Sequence, residues 1–149
     1  MKKIILISTA SFFFFISCKK EEKVIEPKVT TTKAEIPFTG NWSRQFQAGP
    51  GNLQTAKYLI YQDSIRYILT GAIGQSNYVL MRDKFILEDN RFIGHNINTN
   101  SYYLIFVKNV TNDSISLYKQ IITTVSEGLN VSVPSDTTTQ NYGWNTFKK

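Results

Sequence analysis

Tyr102-Tyr103-Leu104-Ile105-Phe106-Val107-Lys108, then Thr111-Asn112-Asp113, then Ser114-Ile115-Ser116-Leu117-Tyr118-Lys119-Gln120: two strand-forming runs stand on either side of a short polar turn. The first run is apolar on both faces, as in a strand covered on both sides. The second alternates, with Ile115 and Leu117 sharing the inward phase. So short a connection joins antiparallel neighbours only, because parallel pairing needs a crossover of about a dozen residues or more. The fold follows from repeating this unit.

Upstream the same pattern recurs. Residues 41–47 read as a first strand, followed by the Gly/Pro-rich loop 48–52. Residues 56–62 and 64–70 flank Asp63 as a hairpin, and Ile65, Tyr67 and Leu69 fall on one face of the second run. After a loop at 71–76, residues 77–88 read as one long strand, or as two with a turn at Arg82-Asp83. Asp89-Asn90 turns into 91–97, and Asn98-Thr99-Asn100 turns into 102–108. Beyond Gln120, Ile121, Val125 and Leu129 share helical spacing, which fits a short helix ending near Gly128 or Asn130. Residues 133–140 read as a loop, and 142–147 as a last apolar segment docked on the body. The fold class is therefore all-β: an antiparallel up-and-down meander of about eight strands, closed into a small barrel, with a short C-terminal helix. Closure also removes the exposed edges that invite aggregation.

Composition agrees. Four of the ten Phe lie within residues 12–15, yet both Trp and all eight Tyr lie beyond residue 40, among many Ile, Val and Thr. The formal charge of +6 says less. From Ile36 onward ten Lys and Arg face seven Asp and Glu, spread along the chain. A nucleic-acid binder carries a clustered basic face or a known motif, and this chain has neither.

The N-terminal stretch sets the compartment. Met1-Lys2-Lys3 precedes an almost wholly apolar run from Ile4 to Ile16, then Ser17 and the single cysteine, Cys18. The run is shorter than the ~20 residues that cross a membrane as a helix and matches the core of a signal peptide. Phe15-Ile16-Ser17-Cys18 resembles the lipobox of bacterial lipoproteins. That resemblance implies cleavage before Cys18, acylation of its thiol and anchoring in the outer membrane, at the cell surface or on the periplasmic face. One acyl chain binds a membrane only marginally, but the three a lipoprotein Cys carries hold effectively for good. Residues 1–17 then form the signal peptide, 18–37 the acylated Cys with a charged, Thr-rich disordered tether, and 38–149 the barrel domain. Cys18-Lys19-Lys20-Glu21-Glu22 also resembles the surface-export signal of lipoproteins in some gliding and gut bacteria. With Cys18 acylated the folded part has no thiol, so it forms no disulfide and offers no Cys nucleophile or zinc thiolate.

Gly40-Asn41-Trp42, just before the first strand, resembles the Gly-x-Trp signature of lipocalins. In that family the Trp plugs the closed end of an eight-stranded barrel that holds a small apolar ligand. The resemblance implies structural roles for Gly40 and Trp42. It also implies an interior lined from Tyr67, Leu69, Phe85, Phe92 and Tyr103. No Arg lies near the end of this chain to stack on Trp42.

Few residues carry chemistry. His95, the single histidine, shares strand phase with Ile93 and Ile97 and reads as a buried residue with one partner or as a ligand contact. No Ser stands in nucleophile context beside it, no acid cluster forms a metal site, and Gly71-Ala72-Ile73-Gly74 lacks the Lys and helix of a phosphate loop. The chain reads as non-enzymatic, with no cofactor and no metal. Asp63-Ser64-Ile65, Asp113-Ser114-Ile115 and Asp136-Thr137-Thr138 resemble the O-glycosylation sequon of exported proteins in the same bacteria. Such a sequon would modify Ser64, Ser114 and Thr137; turn chemistry is the alternative, and three instances among five Asp favour modification slightly. The partners expected are the membrane through the lipid anchor, and a small apolar ligand. An outer-membrane protein contacted by a solid barrel is the alternative. Haem captured through His95, Met81 or a Tyr is a further one.

Overall fold

Alternation of apolar and polar residues, interrupted every few residues by Asn, Asp and Gly, builds one closed sheet. The computed structural model describes residues 33–135 and 143–149, which belong to one compact unit. Its strands are β1 (Gly40–Gln47), β2 (Leu53–Ile60), β3 (Ser64–Gly71), β4 (Ser76–Ile86), β5 (Arg91–Asn96), β6 (Tyr102–Lys108), β7 (Ser114–Ile122) and β8 (Asn145–Lys148), with helix α1 (Val125–Asn130) between β7 and β8. Each strand pairs antiparallel with the next, and β8 returns to β1 to close the barrel. The expected all-β meander, its closure and its short helix are all present.

Several boundaries differ from the sequence reading. Of the two readings of residues 77–88, the single strand holds, as Ser76–Ile86: Arg82-Asp83 is a bulge, where the register with β5 shifts between Arg82 and Lys84. A bulge bends a strand without ending it. Ile121 lies in β7 instead of the helix, which starts at Val125 once Thr124 caps it. The last apolar segment is the closing strand. At the other end, Ile36, assigned to the tether, is core at 1% exposure. Gln62 holds it by accepting from its N–H and donating to its carbonyl at 2.8 and 3.0 Å, as a neighbouring strand would. Arg82 donates to the carbonyls of Ala34 and Gln62. The domain therefore begins near Ala34.

The core has two layers. Inside the barrel, Ile36, Phe38 and Trp42 cover one end above Ile65, Leu80, Phe92 and Ile115. The Trp42 indole N–H donates to the Phe38 carbonyl at 3.0 Å, so the ring is buried without an orphaned donor. Gly40, at φ 136°, makes the turn that seats it. The cation over this Trp is Lys149, its Nζ 4.9 Å from the ring centroid. Outside the barrel, Ile93, Leu104, Phe106 and Ile122 pack with Trp144, Val125 and Leu129. This second layer is why Tyr102–Lys108 is apolar on both faces: Ile105 and Val107 face the barrel interior, while Leu104 and Phe106 meet α1 and the segment after it.

Candidate functional site

The interior is filled at one end and hollow at the other. Above the packed end a cavity of about 750 Å3 opens where the β1–β2 and β3–β4 loops and the approach to β8 converge. That is the size range of small-molecule sites. Strand register sets its wall. Tyr58, Tyr67 and Tyr78 are directly paired across β2, β3 and β4 and so point inward side by side. Their rings pack at 5.0 and 5.2 Å between centroids, Tyr103 stacks on Tyr78 at 5.5 Å, and Phe147 meets Tyr58 edge-on at 5.1 Å. The result is a belt of aromatic rings around the hollow half. Burial pushes the Tyr58 hydroxyl well up, and those of Tyr67 and Tyr78 up as well, so all three are neutral at neutral pH.

Two cations line the same wall. Lys119 projects inward from β7 two residues beyond Leu117, because Ile115, Leu117 and Lys119 share the strand's inward phase. Its ammonium donates to the Tyr78 hydroxyl at 2.8 Å and lies 3.9 Å from the Tyr67 ring centroid and 5.5 Å from that of Tyr78. Burial lowers its pKa to about 8. Arg44, in phase with Trp42 and Phe46 on β1, stands higher on the wall, with its guanidinium 5.0 Å from the Phe46 ring centroid. No Asp or Glu lines the cavity among the described residues.

Comparison with family models, curated proteins and solved structures returned no match.

The residues singled out from the sequence fall in different parts of the molecule. Tyr67, Leu69 and Tyr103 line the cavity. Phe85 and Phe92 point into the barrel but sit in its packed end, with Phe85 edge-on to Phe38 at 5.8 Å. His95 faces outward on the barrel surface, where Asp83 from the β4 bulge approaches its Nδ1 at 2.9 Å and the Tyr102 ring lies 6.1 Å away. The expected apolar burial fails there because its face is completed by Met81 and Ile97, both exposed. Ser64 and Ser114 open β3 and β7 at the packed end. Ser64 donates to Asp63 at 2.9 Å, and Ser114 shares a 2.9 Å hydrogen bond with Thr111, so both serve their own turns. Cys18 and Thr137 lie outside the described residues. Missed in the sequence were Tyr58, Tyr78, Phe147, Arg44 and above all Lys119, although period two along β7 was enough to place Lys119 inside.

Proposed function

We propose that this chain is a membrane-anchored exported lipoprotein whose barrel is a non-enzymatic binding module for a small, largely apolar molecule. What carries the reading is the aromatic-walled cavity of about 750 Å3, open at one end of a barrel closed at the other by Trp42 and Phe38. A barrel of eight strands has room to be filled by its own side chains or to hold one small ligand. Here tyrosines ring the hollow half, offering broad apolar faces with hydroxyls at their edges. Anchoring rests on the lipobox at Cys18, which would tether the barrel at the outer membrane.

Organic extraction of the protein purified from its own membranes, followed by mass spectrometry, tests the cavity. A stoichiometric small molecule whose recovery falls in a Tyr67→Trp variant, whose bulkier ring disrupts the aromatic belt, is the expected result. Recovery of nothing above a blank, together with no saturable uptake of any apolar probe, counts against it. For the anchor, labelled palmitate is expected to enter the wild-type chain and not Cys18→Ala, and equal membrane retention of the two removes it.

A further inference from the structure

Lys119 is the cavity's unexplained group. A strand position facing a barrel interior is ordinarily apolar, and its neighbours Ile115 and Leu117 are. A buried ammonium is normally paired with a carboxylate, because water no longer stabilises the charge. Among the described residues Lys119 has one hydrogen bond, to the Tyr78 hydroxyl, and otherwise faces the Tyr67, Tyr78 and Tyr103 rings. A phenol oxygen and three ring faces orient an ammonium but supply no counter-charge. The acids of the described domain lie elsewhere. Asp83, Asp89 and Glu127 are engaged by His95, Arg91 and Thr123, Asp63 and Asp113 bond within turns at the packed end, and neither Glu35 nor Glu88 lines the cavity.

Resting on the reading of the cavity as a ligand site, we infer that its ligand is an amphipathic anion, with a carboxylate head against Lys119 and an apolar body among Tyr58, Tyr67, Tyr103 and Phe147. The head supplies the missing counter-charge and accepts the ammonium's remaining N–H bonds. The rings take the apolar body without demanding a particular shape. The lowered basicity of Lys119 in the absence of such a partner agrees with this, since a nearby carboxylate would restore it.

The test uses the full lipidated chain in phospholipid nanodiscs, with protein-free discs as the blank for partitioning. Two probes of one length are compared: a fluorescent polyene fatty acid and the corresponding polyene alcohol. Wild type is expected to bind the acid saturably and about tenfold or more tighter than the alcohol, the scale of one charge-assisted hydrogen bond. In Lys119→Met that preference vanishes while alcohol binding is retained, and Lys119→Arg restores it. Equal affinity of the acid and the alcohol for wild type overturns the anion assignment and leaves an apolar site standing. Saturable binding of neither overturns the ligand site itself. The wild-type comparison decides the matter even where a variant fails to fold.

Discussion

At the scale of single residues, Arg91 and Lys119 show two ways to draw a cation away from water, one fully buried and one half-buried. Arg91, 7% exposed, donates to Asp89, to the carbonyls of Gly128 and Leu129 at 2.7 and 2.6 Å, and lies over the Phe106 ring at 4.8 Å. Removing it orphans the last carbonyls of α1 and a partly buried carboxylate together. Arg91→Ala is expected to cost about 3 kcal/mol in urea unfolding, and a loss within experimental error would mean that water replaces it freely. Lys119 is the opposite case, since it is half-buried with no carboxylate against it among the described residues. Its pKa is about 8 in the folded chain against an ordinary value of 10.5. Below about pH 8 both folded and unfolded chains hold the proton, and the whole penalty of burying the charge is present. Between the two values the unfolded chain binds the proton that the folded chain has released, so stability rises with pH, by up to about 3 kcal/mol. The tyrosines reverse the trend above about pH 10, where unfolded phenols ionise and the buried ones do not. Ligand-free protein is thus expected to resist urea better near about pH 9.5 than near pH 7, and Lys119→Met is expected to abolish that difference. A flat wild-type profile would mean that the ammonium is already neutralised.

At the scale of elements, α1 is six residues long and too short to persist alone. It survives through its ends and its packing. Thr124 accepts from the Glu127 N–H at 3.1 Å, while the Glu127 carboxylate accepts from the hydroxyl and N–H of Thr123, which hold it below the usual carboxylate range. That contribution is present above the ordinary Glu value and is lost as pH falls through the lowered one. Thr124→Ala is expected to cost about 1 kcal/mol, read by denaturant midpoint. At Gly128 a Cβ would lie 2.7 Å from the Ile122 Cδ1 and 3.0 Å from the Ile93 Cδ1, so any larger residue must push those side-chain tips aside. Strand β8 is the other marginal element, four residues whose register with β1 is a single pair. Phe147 anchors it by packing on Tyr58. Phe147→Ala is expected to cost about 3–5 kcal/mol and to open the cavity floor. Retention of wild-type stability would show that β8 is held by its backbone alone.

At the scale of the whole molecule, β8 separates a barrel from an open sheet. Deleting residues 145–149 removes the strand that covers β1 and β7, and both would present unpaired edges. Concentration-dependent oligomers in size-exclusion chromatography are the expected outcome, and a stable monomer would show that the two edges pair directly. Much of this architecture was legible in the chain itself. Period-two alternation, with Asn and Asp at the turns, is local information, so Tyr102–Lys108 was placed residue for residue and the meander followed from connections too short for a crossover. The two-sided burial of β6 was legible for the same reason, though not what covered it. Tertiary structure alone decided three things. It turned Arg82-Asp83 into a bulge and so brought Asp83 to His95 on the outer surface. It made a four-residue tail the closing strand. And it left half the interior empty around Lys119, because whether inward side chains meet depends on barrel diameter and on how far Trp42 and Phe38 fill it from one end. Those are sums over all eight strands, which no single stretch of sequence contains.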